Sequence, residues 1–192
     1  MQPKPIVLAF DTSAAHCAAA LLLGDRVVTR VDEMAKGQAE HLMPMLEDML
    51  KAEGLTWADL DGIGVGVGPG NFTGIRISLA AARGLSLGLG KPAIGVNGFE
   101  ARAYQEATPY LATIPAPRQQ SYAQVFPETG APSKPELRAL DAEPQKTPLA
   151  LIYATARIAA DRLTSAHPRP TPLYVRSADA APPRDPAPVL LP

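Results

Sequence analysis

A glycine-rich segment, Gly62–Arg76, constrains the fold of this chain more than any other stretch. Glycine alternates with β-branched residues, a Gly-Pro-Gly turn follows at residues 68–70, and a long run of helix-forming small residues comes next. Glycine in such a turn allows positive φ angles and lets backbone N–H groups approach a ligand or a second chain closely. The segment therefore predicts a buried strand, a tight turn and a helix within an α/β layer.

The segment fits neither of the two common phosphate-binding motifs. The third glycine of a Gly-x-Gly-x-x-Gly fingerprint would fall on Pro69, Asn71 or Thr73. The lysine of a P-loop is also missing, because no lysine lies between residues 62 and 89. The helix start could still bind an anion through its free N–H groups. Alternatively, the glycines only allow a sharp turn and close helix packing, and the pattern leaves both open.

Composition limits the classes of protein to which the chain can belong. It has 192 residues with a net charge of −1 and no basic run, so it lacks the electrostatic footprint of a protein that grips nucleic acid unaided. The single cysteine, Cys17, excludes an internal disulfide and fits a reducing compartment. No signal peptide is visible, and the apolar stretch 75–94 contains Arg76, Arg83 and Lys91. We expect a cytoplasmic protein without a membrane span.

A change in composition near residue 100 predicts two lobes. Fourteen of the 15 glycines lie at or before Gly98, whereas 16 of the 21 prolines lie at or after Pro109. Residues 1–105 are predicted to form an α/β lobe with the order strand, strand, strand, helix, strand, helix, strand, helix. Residues 106–192 are predicted to form a smaller, proline-rich lobe with one hairpin, one amphipathic helix at 149–163 and an irregular stretch at 127–148.

Two stretches could carry chemistry, and each also has a structural interpretation. Asp11-Thr12-Ser13 follows a buried strand, where α/β proteins often hold a carboxylate near a metal-bound phosphate; it could equally be an Asx turn. The three histidines form no metal-binding pair, and no Gly-x-Ser-x-Gly elbow is present. We therefore predict no catalytic residue and no metal ligand.

Two predicted helices carry more information than any candidate catalyst. The helix at 38–51 is rich in methionine, which suits an adaptable packing surface. In the helix at 72–89, Ala80, Gly84 and Gly88 recur at four-residue spacing, although glycine costs about 1 kcal/mol per helix position relative to alanine. Such glycines indicate that another backbone packs closely, either this chain's own sheet or a partner's helix.

Five segments, in this order, resemble a known family. They are Ile6–Ser13, Glu40–Leu46, Gly66–Arg76, Ala82–Leu85 and Ile94–Asn97. Together they are similar to TsaB, also called YeaZ, the bacterial subunit needed to make threonylcarbamoyladenosine in tRNA. The resemblance covers about the first 100 residues, and the Gly-Pro-Gly-x-Phe-Thr-Gly-x-Arg block is its most specific part.

The resemblance implies an actin-like (ASKHA, ribonuclease H-like) fold of two lobes with mixed sheets flanked by helices, the second lobe reduced. It implies a non-catalytic scaffold or activating subunit that pairs with the catalytic subunit TsaD and is joined by the small ATPase TsaE. The nucleotide-loop remnant would be Asp11, Thr12, Ser13, Gly68, Pro69 and Gly70. The partner interface would comprise His41, Met45, Met49, Phe72, Arg76, Ala80, Arg83, Gly84 and Leu87.

The same resemblance implies that this chain holds no cofactor alone, and that ATP and a divalent metal belong to the partner subunits. It would meet tRNA only within the complex, and could form a homodimer through the same helices when alone. The second half departs from the family pattern, because the usual Asp-Ala-Arg is replaced by Ile114-Pro-Ala-Pro-Arg118. Pro172–Arg176 resembles the Pro-x-Tyr-x-Arg strand that closes the family pattern.

Two other functions remain to be weighed against the scaffold. A small ASKHA-type kinase or ATPase using Asp11 would need a second carboxylate in the C-terminal half, where Asp141, Asp161, Asp179 and Asp185 all lie in an unsuitable context. A peptidase has no nucleophile or metal motif to support it.

Overall fold

The first lobe is built on a mixed five-stranded sheet. The computed structural model describes residues 4–139, 145–165 and 168–175. The strands of this sheet are β1 (Ile6–Asp11), β2 (His16–Leu23), β3 (Arg26–Glu33), β4 (Gly62–Gly66) and β5 (Ala93–Val96). Their order is β3-β2-β1-β4-β5, with β1, β2 and β3 antiparallel and β1, β4 and β5 parallel. The predicted order of elements and the mixed sheet are therefore confirmed.

Two helices, α1 (Gln38–Ala52) and α2 (Phe72–Leu89), cover one face of this sheet. Alternate residues of β1, such as Leu8 and Phe10, pack against the apolar stripe of α1 and against Ile75 and Leu79 of α2. The side chain of Asn71 caps the start of α2 by accepting a hydrogen bond from the Gly74 amide. Gly90, with a positive φ of 65°, follows the last residue of α2. Asn71 and Gly90 therefore mark the two ends of this helix in the sequence.

Two further helices, α3 (Gly98–Ala103) and α4 (Pro148–Asp161), cover the opposite face. Val7 and Ala9 of β1 point to this side and pack against Ile152, Ala156 and Ala159 of α4. The first sheet is therefore the middle layer of a three-layer α/β/α unit. Of the apolar positions that predicted α4, Leu149 lies on the surface instead, with 47% of its area exposed.

The second sheet is smaller and entirely antiparallel within the described residues. It consists of β6 (Tyr110–Ala116), β7 (Gln120–Phe126) and β8 (Glu136–Arg138), in that order. The predicted hairpin is confirmed, but the mixed character expected for this sheet is not found. The prediction of an irregular stretch at 127–148 missed β8, which is only three residues long and has no alternating apolar pattern.

The division at residue 105 does not separate the packing units of the chain. Helix α4 belongs to the segment assigned to the second lobe, yet it packs on the first sheet against β1, β2 and β4. Residues 168–175 also return to the first lobe, where the Leu173 amide donates a 2.8 Å hydrogen bond to the carbonyl of Val67. The sequence shows that α4 has an apolar side, but it does not show which of the two sheets that side covers.

Candidate functional site

A cleft opens where the two sheets meet. Its cavity of about 480 Å³ is bordered by the end of β1, the Gly-Pro-Gly turn, the start of α3, strand β6 and the N-terminal half of α4. A concave site of this size with a few polar groups is the usual form of a small-molecule pocket. The predicted loop residues Asp11, Ser13 and 68–70 all line it, so the structure brings the two loops together.

The Asp11 carboxylate is engaged by its own loop. Its Oδ1 atom accepts hydrogen bonds from the backbone N–H and the hydroxyl of Ser13, both at 2.7 Å. The bond to the Ser13 amide closes an Asx turn, which was one of the two interpretations of this stretch. Its Oδ2 atom lies against Gly66, where any side chain would overlap it.

Backbone contacts hold the Asp11–Ser13 loop directly on the start of α2. The buried Thr12 hydroxyl donates to the carbonyl of Gly74 at 2.7 Å, and the Asn71 amide donates to the carbonyl of Ser13 at 2.7 Å. A Cβ at Gly74 would overlap the carbonyl oxygen of Thr12. The glycine of the family motif is required here by close approach between two backbones.

The charged groups of the cleft are few. Asp11 is the one carboxylate among the described residues that line it. Arg102 enters the wall from α3, and its guanidinium donates to the carbonyl of Gly98 at 3.0 Å and to Oε1 of Gln145 at 3.1 Å. Desolvation by burial lowers the pKa of Arg102 from its usual value. Arg102 was not among the predicted site residues, because nothing in its spacing separates it from an exposed helix residue.

Neither a metal-binding cluster nor a helix suited to a membrane occurs in the described residues. Across residues 4–139, 145–165 and 168–175, no three His, Cys, Asp or Glu side chains come together in a metal-binding group. No helix in those ranges combines the length and the apolarity that a bilayer crossing requires.

The outward side of α2 is the second candidate site. Arg76, Ala80, Gly84 and Leu87 recur at helical spacing on this side and are exposed or partly exposed, and Leu87 reaches 88% exposure. Beyond the backbone of the helix itself, a Cβ placed on Gly84 or Gly88 would meet no atom within 4 Å. Packing of these two glycines on this chain's own sheet, one of the two alternatives, is therefore excluded within the described residues.

An aromatic cluster flanks the first turn of α2. The rings of Phe72 and Tyr174 lie 5.2 Å apart between centroids, and the Arg76 guanidinium carbon lies 3.8 Å from the Phe72 centroid. Phe72 and Tyr174 are 41% and 39% exposed. Tyr174 was not among the predicted interface residues, since its sequence position is far from α2.

Three of the predicted interface residues take other positions in the structure. Met45 and Met49 are buried in the core between α1 and the sheet, so their side chains do not reach the surface; Met43 is the exposed methionine of this helix. Arg83 directs its Nε and Nη2 atoms to the carbonyl of Pro170, at 3.1 and 2.6 Å. Met45 and Met49 were predicted on the exposed side of α1, but both belong to the side that packs on the sheet.

His41 belongs to a small polar cluster beside α1. Its Nε2 atom lies 2.7 Å from Oδ2 of Asp32, and Arg30 also bonds to the Asp32 carboxylate at 2.7 Å. The hydrogen bond from Arg30, and then that to His41, hold the pKa of Asp32 below its usual value. His41 is therefore held against the edge strand β3 by its contact with Asp32.

The mixed sheet with helices on both faces, the second sheet and the cleft between them define an actin-like α/β protein of the ASKHA class. A solved structure of an uncharacterized Pseudomonas aeruginosa protein with similarity to peptidase YeaZ has this fold, with a TM-score of 0.70 and 23% identity over 90% of this chain and all of that one. YeaZ from the same organism aligns with a TM-score of 0.65 and 22% identity, over 88% of this chain and 99% of that one.

Similarity in sequence relates the chain to particular families as well as to a fold. A family model described as TsaD, tRNA N6-adenosine threonylcarbamoyltransferase, matches residues 32–131. The Escherichia coli tRNA threonylcarbamoyladenosine biosynthesis protein TsaB is 32% identical over 115 residues, which cover 57% of this chain and 50% of that protein. A tRNA N6-adenosine threonylcarbamoyltransferase from Erythrobacter litoralis is 33% identical over 115 residues, covering 51% of this chain and 33% of that enzyme.

The chain belongs to the TsaB/YeaZ family, within the wider group that the threonylcarbamoyltransferase model describes. It spans between a third and a half of the length of the curated relatives just described.

Proposed function

We propose that this chain is a scaffold or activating subunit in the synthesis of N6-threonylcarbamoyladenosine in tRNA, and that it acts by pairing with a TsaD-like catalytic subunit. The observation that carries the proposal is the exposed outward side of α2, where small residues stand open and Leu87 is 88% exposed. The small residues Ala80 and Gly84 leave room for a second backbone to approach this side of the helix, and Leu87 would add an apolar contact beside it.

The chemistry of the cleft supports a non-catalytic role. Asp11 is bound to Ser13, and no other described carboxylate lines the cleft with it. Phosphoryl transfer depends on positioned groups that stabilise charge on the phosphates and hold metal ions. One internally bonded carboxylate is a poor set of such groups, so we assign ATP and a divalent metal to the TsaD-like and TsaE-like partners.

The nature of the partner follows from the similarity between this chain and the threonylcarbamoyltransferase family. The model of the threonylcarbamoyltransferase matches residues 32–131, a range that contains both α1 and α2. A TsaD-like subunit therefore carries a comparable pair of helices. Two pairs of like helices pack closely when small residues line the contact, which suits Ala80 and Gly84. Contact with tRNA would occur only within that complex.

Substitution of Gly84 tests the pairing. Gly84→Leu should abolish co-purification with the TsaD-like subunit, because a leucine on this open face prevents close approach of a second helix. The monomer should stay folded, since a Cβ at this position meets nothing within 4 Å beyond the backbone of its own helix. Ala150→Leu, an exposed small residue on α4 across the sheet, is the matched control and should pair normally. Pairing of Gly84→Leu at wild-type strength would contradict the assignment.

The cellular role has a separate test. Depletion of the protein should lower threonylcarbamoyladenosine in tRNA, measured by mass spectrometry of tRNA nucleosides. The wild-type gene should restore the modification, whereas the Gly84→Leu variant should not. Unchanged levels of the modified nucleoside after depletion would reject the role.

A small ASKHA-type kinase or ATPase remains the second candidate, favoured by the cleft of about 480 Å³ with Asp11 in its wall. Calorimetry of the isolated chain with ATP and Mg²⁺ separates the two functions. Tight binding that is lost in Asp11→Asn would favour the enzyme over the scaffold.

A further inference from the structure

We propose that residues 168–175, called the strap below, form part of the partner-docking surface, with Tyr174 as a direct contact and Arg83 as its positioning residue. This inference rests on the proposed function, because the occupant of the surface is the TsaD-like subunit. It adds to the α1 and α2 interface a segment from the far end of the described chain.

The strap is fixed to the first lobe at several points. Pro170 is buried, and its carbonyl accepts two hydrogen bonds from the Arg83 guanidinium, at 3.1 and 2.6 Å. Three residues further on, the Leu173 amide donates to the Val67 carbonyl at 2.8 Å. Leu173 also packs against both the core under α1 and α2 and the core of the second sheet. The backbone that leads to Tyr174 is therefore held at residues 170 and 173.

These attachments place an aromatic side chain beside the helix that we assign to docking. Tyr174 packs on Phe72, and Phe72 in turn carries Arg76 on its ring. All three side chains are exposed at the start of α2. Tyrosine and arginine are enriched among the residues that dominate interface energies, because each combines a large contact area with hydrogen-bonding groups.

Arg83 has the geometry of a positioning residue. Its Nε and Nη2 atoms both donate to one backbone carbonyl of the strap, and a charged donor makes such bonds stronger than a neutral one would. Its guanidinium is therefore engaged within the chain, and its effect on a partner would pass through the position of Tyr174.

Charge favours a heterologous partner over a second copy. Helix α2 contains Arg76 and Arg83 and has no acidic residue. Where two copies met with α2 against α2, the exposed Arg76 would find no acidic residue on the facing helix, whereas a partner with a carboxylate opposite Arg76 would complement it. We therefore assign the surface to a TsaD-like chain that presents an apolar helix with an acidic group near Arg76.

The test is the affinity of full-length variants for the TsaD-like subunit, measured by calorimetry or biolayer interferometry. Tyr174→Ser should weaken binding about tenfold or more, as expected for the loss of one aromatic anchor. Arg83→Gln should weaken it to a similar extent, and Arg83→Lys less, because one ammonium can still reach the Pro170 carbonyl. Leu149→Ser, an exposed apolar residue on α4, is the control and should bind normally.

Hydrogen exchange separates the two roles. The Leu173 amide should exchange faster in Arg83→Gln, because the strap has lost its attachment, and should be unchanged in Tyr174→Ser, which loses only the contact. Equal exchange in wild type and Arg83→Gln would remove the positioning role. Circular dichroism should show that both variants remain folded.

The outcomes distinguish this inference from the proposed function. If Gly84→Leu abolishes pairing and Tyr174→Ser binds normally, the strap is not part of the surface and the scaffold role stands. If neither substitution affects pairing, the scaffold interface itself fails. If Tyr174→Ser weakens only self-association, measured by sedimentation, the occupant is a second copy and the inference is overturned.

Discussion

The two ends of α2 use glycine in opposite ways. At its start, Gly74 lies against the backbone of the Asp11–Ser13 loop, with no room for another atom. Toward its end, a Cβ on Gly84 or Gly88 would have nothing within 4 Å beyond the backbone of the helix itself. The first glycine is explained by contacts inside the molecule. The other two, which cost helix stability, have no internal explanation within the described residues.

The comparison extends to the side chains on the inner and outward sides of α2. Around the cleft, the side chains of Asp11 and Thr12 are bonded to neighbouring parts of the same chain. On the outward side, Phe72 and Leu87 remain exposed. The helix therefore packs inside the molecule on one side and presents exposed residues on the other.

The largest predicted effect is on stability, and it tests the contrast between Gly74 and Gly84. Gly74→Ala should lower the free energy of unfolding by about 3 kcal/mol or more, because the added methyl group overlaps the Thr12 carbonyl and forces the backbone to move. Gly84→Ala on the same helix should instead raise it by up to about 1 kcal/mol, the helix-propensity difference. Urea denaturation of both variants measures the contrast, and equal losses would contradict it.

Affinity for the partner should depend on the outward side of α2, where substitutions have little effect on stability. Leu87→Asp should reduce affinity for the TsaD-like subunit by at least about tenfold, because it places a charge in an apolar contact and the loss of a central anchor is typically about 1–2 kcal/mol or more. Its unfolding free energy should stay within about 0.5 kcal/mol of wild type, since the side chain is exposed. Titration calorimetry provides the affinity. An unaltered affinity would remove Leu87 from the interface.

Asp11→Ala should have a smaller effect, confined to the cleft. Loss of the two hydrogen bonds to Ser13 should lower the free energy of unfolding by about 1–2 kcal/mol. Affinity for the partner should not change, because Asp11 lies away from the outward side of α2. Denaturation and pairing assays on the same preparation test both statements. A large loss of pairing at unchanged stability would link the cleft to the interface.

The smallest effect concerns the polar cluster beside α1. Because the pKa of Asp32 is held below its usual value, its carboxylate stabilises the folded protein above the ordinary aspartate pKa, and this contribution is lost as pH falls through the lowered pKa. The destabilisation caused by Asp32→Asn should therefore be present at about pH 6 and shrink at more acidic pH. Denaturation of both proteins across this range is the measurement, and a pH-independent difference would exclude the linkage.

Much of the first lobe could be predicted from local pattern. The apolar run of β1 and the spacing of Leu42, Leu46 and Leu50 in α1 are strong periodic signals. The Gly-Pro-Gly turn and Gly90 frame α2, so both ends of that helix were predicted as they occur. These features depend on residues close together in sequence.

The remaining features depend on contacts between distant segments. Arg83 bonds to a carbonyl 87 positions later in the chain, and Tyr174 meets a ring on α2. Whether Met43 or Met45 faces the solvent is decided by the sheet beneath α1, because both lie within apolar helical spacing. Neither propensity nor spacing contains that information. The candidate site was therefore predicted as a helix face, with some of its members wrong.

The attachment of the strap also affects when the docking surface is complete during protein synthesis. Protein synthesis proceeds from the N-terminus at about 5–20 residues per second, so residues 168–175 are added roughly 4–16 s after the end of α2. During that interval the first sheet and α2 are already available to fold, but the ring that packs on Phe72 has not been made. A nascent chain would therefore present an incomplete docking surface. Pairing at full strength would wait for the strap, which favours assembly after synthesis over assembly on the ribosome.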